Sequence, residues 1–322
     1  MSIEVSKEDI FPQDYRGRLT EGVTYDYRNN QLIWIDIILG EIHRVSLTDL
    51  NKHEILKWEN PKESVGFIGL TSNEDIVLVA AKSGLAYGNF KTKKLEYFFK
   101  YPFTDSEKDR LRSNDGIIDP WGNLWIGVMN DFHVEEVKEE GYLYRITPDL
   151  QIDVMLTNTK ISNGLAFNNE GNELYWTDSQ NYTIFKFKYD KDSNKLSDKQ
   201  AFVETKQLYP DIESPEPDGM IRTENGDIYS AIFNTGTILH VNSKGELIDK
   251  IHVPAKRCTC VTIGGLDDNE LFINTGNLKL DDFNHSINVD DLFGDLGGFL
   301  FRLKLKNKLY GQKKNIWGGK VE

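Results

Sequence analysis

The feature of this sequence that most constrains its fold is a short β-type run that recurs six times at a nearly constant interval. Each run is rich in aliphatic and aromatic residues, and each begins 43 to 54 positions after the run before it. A period of this size in strand-like segments is typical of repeat proteins, and of β-propellers in particular. The six runs cover residues 32–35, 76–79, 124–127, 174–177, 228–231 and 271–274.

Each run has the same two neighbours along the chain. A second element follows it and, in several repeats, alternates apolar with polar residues, as half-buried strands do. A third element precedes it, and the linking segment leaves room for a fourth, outer strand. We therefore predict an all-β fold, a six-bladed β-propeller with four-stranded blades around a central channel, as one domain over residues 1–322. We expect residues 3–5 to complete the last blade, because ring closure removes free sheet edges.

Composition excludes several classes of partner. The net charge is −13, with 38 basic against 51 acidic residues. No basic stripe is present to neutralise phosphates, so we expect neither nucleic acid nor an anionic membrane as a partner. A small polar substrate or a cation fits this charge better.

The cysteines and the apolar pattern bear on the cellular compartment. The two cysteines, Cys258 and Cys260, stand two positions apart, where an extended strand points them to opposite faces and disfavours a disulfide. No run approaches the roughly 18 apolar residues that span a bilayer, and the first residues have no apolar signal core. We expect a cytoplasmic protein, or one that is also nuclear.

A long acidic segment interrupts the last repeat. Residues 277–297 include five aspartates, at positions 281, 282, 290, 291 and 295. Two interpretations stay open for this segment: a solvated surface excursion, or a lid over the channel.

The third element of the repeat predicts the functional site. In four repeats it begins with a polar residue followed by Gly, and in a propeller the innermost strands bring equivalent positions to one axis. Its six first residues are Glu21, Val65, Asp115, Asn163, Asp218 and Cys260. Each polar-Gly pair alone would be ordinary turn chemistry. Four of them at one repeat position favour a cation site, because converging carboxylates repel each other unless a cation neutralises them. Carboxylate and amide oxygens suit Ca²⁺, Mg²⁺ or Mn²⁺, and carboxylates also accept Zn²⁺.

Several short motifs, in order and at propeller spacing, resemble one known family. They are Glu21-Gly22, the Arg-Ser-Asn-Asp-Gly run at 112–116 with Asp-Pro-Trp-Gly at 119–122, residues 162–166 with 175–179, residues 217–220, and residues 260–265. Together they identify the chain as similar to the SMP-30/gluconolactonase/LRE family over nearly its whole length. The resemblance implies a six-bladed propeller that holds one divalent ion in its channel and hydrolyses sugar lactones.

The resemblance also implies roles for particular residues. Glu21, Asn163 and Asp218 match the metal ligands of the family, and Asp218 also matches the proposed acid/base. Arg112 and Asn114 match residues that contact substrate hydroxyls. A carboxylate bound to a cation is a weak base, so a second group is expected to share the proton transfer, and Asp115 is the nearest candidate.

One position departs from the family pattern. The regucalcin branch has a substrate-contacting Glu at the position that Phe132 occupies here. Either Asp131 takes over that role or the preferred substrate differs. Among six histidines, none of which has metal-ligand spacing, only His133 lies near this predicted channel mouth.

The sequence thus favours a divalent-metal-dependent lactonase of the gluconolactonase type, acting on aldonolactones by attack of an activated water on the ring ester. The alternative is a calcium-binding regulatory protein with little catalysis, and a third hypothesis is a scaffold for protein partners. A scaffold needs no set such as Glu21, Asn163 and Asp218, and a calcium buffer needs neither Arg112 nor Asn114 beside the ion.

Overall fold

The computed structural model describes residues 3–12, 15–280 and 294–321, and it confirms the predicted six-bladed β-propeller. The third element of each repeat forms the innermost strand of its blade, and neighbouring innermost strands contact each other around the ring. That residues 1–322 form one domain stays a prediction. The innermost strands are β1 (Thr20–Asp26), β5 (Val65–Leu70), β9 (Leu111–Ile118), β13 (Ser162–Phe167), β17 (Glu216–Arg222) and β21 (Arg257–Gly264).

The recurring runs form the second strand of every blade, and the alternating elements form the third. Each pairs antiparallel with the strand before it. The second strands are β2 (Gln31–Asp36), β6 (Ile76–Ala81), β10 (Leu124–Asn130), β14 (Glu173–Asp178), β18 (Ile228–Phe233) and β22 (Glu270–Gly276). The third strands are β3 (Glu41–Ser46), β7 (Gly84–Asn89), β11 (Gly141–Ile146), β15 (Thr183–Asp190), β19 (Thr237–Val241) and β23 (Phe301–Lys304).

Outer strands complete blades 1 to 5, and the helical elements are short. The outer strands are β4 (Asp49–Lys57), β8 (Lys94–Lys100), β12 (Ile152–Thr159), β16 (Lys195–Glu204) and β20 (Leu247–His252). The α-helices are α1 (Asp105–Arg110) and α2 (Thr205–Leu208), and 3₁₀ turns cover Lys7–Asp9 and Ser179–Asn181. None of the helices in the described ranges has the length and apolar character needed to cross a bilayer.

The hydrophobic core lies between the faces of adjacent blades. Trp34, Trp125 and Trp176 come from three of the recurring runs and are among the largest fully buried side chains. Since each second strand is covered on both faces, it reads as a continuous apolar run rather than an alternating one. This burial explains why these runs are the clearest signal in the sequence.

The ring closes differently from the prediction. Residues 3–5 pair with the outer edge of blade 5, through Val5 N to His252 O at 2.8 Å, and not with the last blade. Ile10 instead bridges to Phe301 in β23, so a short contact from the N-terminal segment covers the edge of the three-stranded sixth blade. Phe11 explains the choice, because its buried ring packs against Trp34 and Phe272 and joins blades 1 and 6.

Two glycines allow neighbouring innermost strands to approach closely. A Cβ on Gly66 would come within 2.5 Å of the Asn114 carbonyl oxygen, and one on Gly164 within 2.4 Å of the Asp218 carbonyl oxygen. No side chain fits at either place without displacing backbone. Asn163-Gly164, one of the predicted polar-Gly pairs, therefore serves strand packing around the axis, and all four pairs lie within innermost strands and not in turns.

Residues 309–318 form an extended segment across one end of the channel, which we call the C-terminal strap. Its hydrogen bonds join Leu309 N to Asp268 O (2.7 Å), Glu224 N to Tyr310 O (2.9 Å), Gln312 N to Arg222 O (2.8 Å), Gln312 Nε2 to Asn169 Oδ1 (2.7 Å), Asn315 Nδ2 to Ile118 O (2.9 Å) and Trp317 N to Leu70 O (2.8 Å). These partners belong to blades 6, 5, 4, 3 and 2, so the strap fastens five blades together.

The predicted acidic segment 277–297 is described only in part. Residues 281–293 lie outside the described residues, so neither the surface excursion nor the lid is tested. Within the described part, Asp295 Oδ2 accepts a hydrogen bond from Lys256 N at 2.8 Å.

Trp317 provides a test of the strap. Its indole is buried against the apolar cluster between blades 2 and 3, and its Nε1 donates to Tyr87 Oη at 3.2 Å. We expect Trp317→Ala to lower the free energy of unfolding by about 3–5 kcal/mol through cavity formation.

The matched control is Tyr310→Ala, because Tyr310 is exposed and joins the strap only through its backbone. Urea denaturation should show a change below about 0.5 kcal/mol for this control. Equal losses in the two variants would contradict a specific role for the Trp317 indole.

Candidate metal and substrate site in the channel

A β-bulge near the start of every innermost strand shapes the site. The register between first and second strands shifts next to Glu21, Val65, Asn163 and Cys260, between Ser113 and Gly116, and between Pro217 and Met220. A bulge adds one residue to a strand and redirects the side chain beside it. The bulges therefore occur at the repeat position from which the sequence predicted the site.

Three carboxyl groups from blades 1, 3 and 5 meet in this region. Glu21 and Asp218 lie within hydrogen-bond reach of each other, and the charge of Asp115 acts on both. Glu21 and Asp218 are buried. Burial and the nearby Asp115 charge raise the pKa of Glu21 to about 8, and burial raises the pKa of Asp115 to about 6. The pKa of Asp218 is also raised, by burial and then by the charges of Glu21 and Asp115.

A chain of hydrogen bonds links Arg112 to Asn163 on the neighbouring blade. Arg112 Nη1 donates to Asn114 Oδ1 at 2.7 Å, and Asn114 Nδ2 donates to Asn163 Oδ1 at 3.2 Å. Asn163 Nδ2 then donates to Ser179 Oγ at 3.0 Å, which in turn donates to Pro217 O at 2.7 Å. This chain orients the Asn163 amide with its oxygen as an acceptor, and it ends beside Asp218.

The donor set of these residues fits a hard divalent cation. Asp218 Oδ1 is buried and accepts no hydrogen bond from any described residue. No group of three or more His, Cys, Asp or Glu side chains in the described ranges could hold a metal ion, so a cation here would need the Asn163 oxygen beside Glu21 and Asp218. Two carboxylates and one amide oxygen are ligands of the kind that Ca²⁺ and Mg²⁺ prefer. A cation would also offset the cost of burying like charges.

The predicted substrate residues form the wall beside these carboxyl groups. Arg112 is buried, and burial lowers its pKa to about 10 while the fields of Asp131, Glu21 and Asp218 oppose that effect. Its guanidinium lies 4.3 Å from the centroid of the Phe132 ring. Asp131 Oδ1 is 4.0 Å from Arg112 Nε. The structure therefore brings Arg112, Asn114 and Asp131 to one side of the site.

Sequence reasoning missed Lys82 and Ser179, which shape this wall, and it named Phe132 only as a departure from the family pattern, without its contact to Arg112. Lys82, from the end of blade 2, forms an ion pair with Asp131 Oδ2. Ser179 fixes the Asn163 amide, and Phe132 stacks on Arg112 although nearly half of its surface is exposed. Lys82 and Ser179 follow second strands directly, at the end of the blade where the bulges occur. Their position in the repeat, directly after a second strand, is the signal from which these two residues could have been predicted.

Two other positions that the sequence singled out, Cys260 and His133, take no direct part in this site. Burial raises the pKa of the Cys260 thiol well above its ordinary value, which suits an inert strand thiol. Cys258 and Cys260 are both free. His133 is exposed, and its Nδ1 lies 3.5 Å from Asp131 Oδ2. It therefore borders the wall at Asp131 and does not belong to the cluster of Glu21, Asp115 and Asp218.

The fold and this cluster define a β-propeller with an acidic channel site. Residues 19–277 match the model of the SMP-30/Gluconolactonase/LRE-like region, and the chain belongs to this family. The C-terminal strap lies outside the matched residues.

Relatives and solved structures agree with this assignment. The chain is 56% identical to the cell growth-regulated gene 1 protein of Candida albicans, over 100% of both chains. It is 27% identical to a pentonolactonase of Haloferax volcanii, over 89% of this chain and 90% of that one. The crystal structure of a calcium-binding protein, regucalcin from Agrobacterium tumefaciens, superposes with a TM-score of 0.80 at 19% identity, covering 98% of this chain and 99% of that chain. This last likeness shows the fold alone.

The raised pKa of Glu21 predicts how stability depends on pH in metal-free protein. The pKa moves from an ordinary 4.5 to about 8, so between these values the folded state holds the proton more tightly than the unfolded chain. The free energy of unfolding should therefore fall as the pH rises through that window. We expect Glu21→Gln to be more stable than the wild type by up to about 4 kcal/mol near pH 8, and by less than about 1 kcal/mol near pH 5.

Urea denaturation in excess chelator at the two pH values measures this difference. Glu136→Gln, at an exposed position, is the matched control and should show no pH-dependent change. A stability difference between Glu21→Gln and wild type that is the same at both pH values would contradict the raised pKa.

Proposed function

We propose that the protein is a divalent-metal-dependent sugar lactonase of the gluconolactonase type. The observation that carries the proposal is the meeting of Glu21, Asp218 and the oriented Asn163 amide beside Arg112 and Asn114. Membership of the family and relatives named as lactonases support it. The substrate class is an aldonolactone, a cyclic ester with several hydroxyl groups.

Glu21, Asn163 and Asp218 would hold the cation. A bound divalent cation supplies polarisation of a carbonyl oxygen and a lowered pKa for a coordinated water. Asp218 would accept a proton from the attacking water and return one to the ring oxygen that leaves. Since a carboxylate next to a cation is a weak base, Asp115 shares this proton transfer in our proposal.

Arg112 and Asn114 would bind and orient the lactone. Arg112 is held by Asn114, by the Ser113 carbonyl and by stacking on Phe132, so its remaining N–H groups have a fixed direction. Donors held in this way recognise hydroxyl and carbonyl oxygens and fix the geometry of attack. Binding of a lactone would require such a wall of oriented donors, whereas binding of an ion alone would not.

Calcium binding without catalysis is the second candidate function. Relatives named regucalcin favour it, such as that of Gallus gallus at 25% identity over 83% of this chain, and the regucalcin of Agrobacterium tumefaciens is a calcium-binding protein. A buffer would bind the cation with no turnover of any lactone. The experiments below separate the two functions because cation binding and hydrolysis are measured independently.

Loss of a proposed metal ligand should abolish hydrolysis. We expect Asp218→Asn and Glu21→Gln to lower kcat/KM for gluconolactone by at least about 100-fold, because each removes a negative ligand of the cation. Acid release in a pH-stat, corrected for spontaneous hydrolysis, measures this loss. Chelator should abolish wild-type activity, and adding back Ca²⁺, Mg²⁺, Mn²⁺ or Zn²⁺ in turn identifies the ion.

The matched control for this experiment is Asp211→Asn, because Asp211 is exposed and also comes just before β17. It should keep wild-type activity. Retained turnover in folded Asp218→Asn would exclude the proposed role of Asp218.

Asp131 provides a separate test of the substrate wall. We expect Asp131→Asn to raise KM for a polyhydroxylated lactone about tenfold with little change in kcat, since one charged hydrogen bond is lost. KM for a lactone without hydroxyl groups should not change. Glu136→Gln, at a nearby exposed position, is the matched control, and an unchanged KM in Asp131→Asn for a panel of sugar lactones would exclude the contact.

A further inference from the structure

The C-terminal strap closes the end of the channel that is remote from the bulges. A cavity with a volume of about 540 Å³ lies there. It reaches from residues that directly follow the bulges, including Phe67, Leu165 and Met220, to strap residues 312–315. All innermost strands run in the same direction, so the acidic cluster lies nearer one end of the channel and this cavity nearer the other.

The anchors of the strap place Lys314 across the axis of the propeller. Gln312 N is fastened to Arg222 O of blade 5, and Asn315 Nδ2 to Ile118 O of blade 3. Lys314 stands between these anchors and lines the cavity. Its positive charge acts on Asp115 in blade 3 and on Cys260 in blade 6, on opposite sides of the ring. This effect from both sides agrees with a position near the axis.

The neighbouring residue Lys313 differs in its surroundings. Its side chain is exposed, and its ammonium group lies 4.7 Å from the centroid of the Tyr27 ring. Consecutive residues of the strap therefore carry one cation over an exposed aromatic ring and one toward the acidic cluster. This arrangement gives a matched pair for experiment.

The surroundings of Lys314 strengthen its effect on the cluster. The cavity is lined both by apolar side chains, such as Phe67, Leu165 and Met220, and by polar ones, among them Arg222 and Glu224. Lys314 is only partly exposed there, and a charge in such a cavity is screened less than one in bulk water. The buried cluster carries three carboxyl groups, and Arg112 is the cation on the other side. A second cation beneath the cluster makes the region less negative, which disfavours a further positive charge.

We propose that Lys314 is an affinity-setting residue: the strap holds its ammonium group in the channel, where it balances part of the cluster's negative charge and weakens divalent-cation binding. The inference rests on the cation site of the proposed function. It assigns to the strap a role in the chemistry of the channel besides that of a fastener.

The experiment is isothermal titration calorimetry, in which Ca²⁺ is added to metal-free, full-length protein and Kd is measured. We expect Lys314→Met to bind Ca²⁺ roughly tenfold more tightly than the wild type, because one positive charge is removed from a poorly screened position. Lys314→Arg keeps the charge and should restore wild-type affinity within about threefold. Lys313→Met is the matched control and should leave Kd unchanged, since its side chain is exposed and its ammonium group lies over the Tyr27 ring, where solvent screens its charge from the cluster.

The outcomes separate this inference from the proposed function. Calcium binding by the wild type with an equal Kd in folded Lys314→Met would overturn the inference alone. Tighter binding in both Lys314→Met and Lys313→Met would also overturn it, because the effect would then come from net charge. Absence of binding in the wild type would overturn the cation site and this inference together.

Discussion

The burial of like charges on the propeller axis is the constraint on which the account of this molecule depends. Glu21 and Asp218 are buried, and the packing of innermost strands from three blades holds them near the half-buried Asp115. Each alone would ionise at acidic pH, but burial raises the pKa of all three, and the charge of Asp115 raises the pKa of Glu21 and of Asp218 further. A protein maintains such an arrangement only where a proton, a cation or a cationic side chain offsets the repulsion. In the proposed function, a divalent cation meets this requirement.

Much of the fold and of the cluster could be predicted from sequence because both follow the repeat. Apolar runs such as the one around Trp125 are strong signals, since each second strand is buried on both faces. The polar-Gly pairs were at the right repeat position, but their physical reason was missed. Gly164 and Gly219, which belong to two of these pairs, allow close packing of neighbouring innermost strands, and the β-bulges redirect the side chains beside them.

Features outside the repeat could not be predicted, because they rest on contacts that no period marks. The N-terminal segment joins blades 5 and 6 at two separate places, a choice fixed by where the Phe11 ring is buried. The strap has no strand pattern of its own and is held by scattered hydrogen bonds to five blades. Lys82 reaches Asp131 from a different blade, so their pairing depends on the ring geometry.

The most direct test of the central claim is an anomalous diffraction map from crystals grown with Mn²⁺. The account predicts one strong peak on the axis, bonded at about 2.1–2.5 Å to oxygens of Glu21, Asn163 and Asp218. It also predicts that this peak disappears in Asp218→Asn. A map with no peak between these three side chains, or with the side chains directed away from one another, would contradict the account.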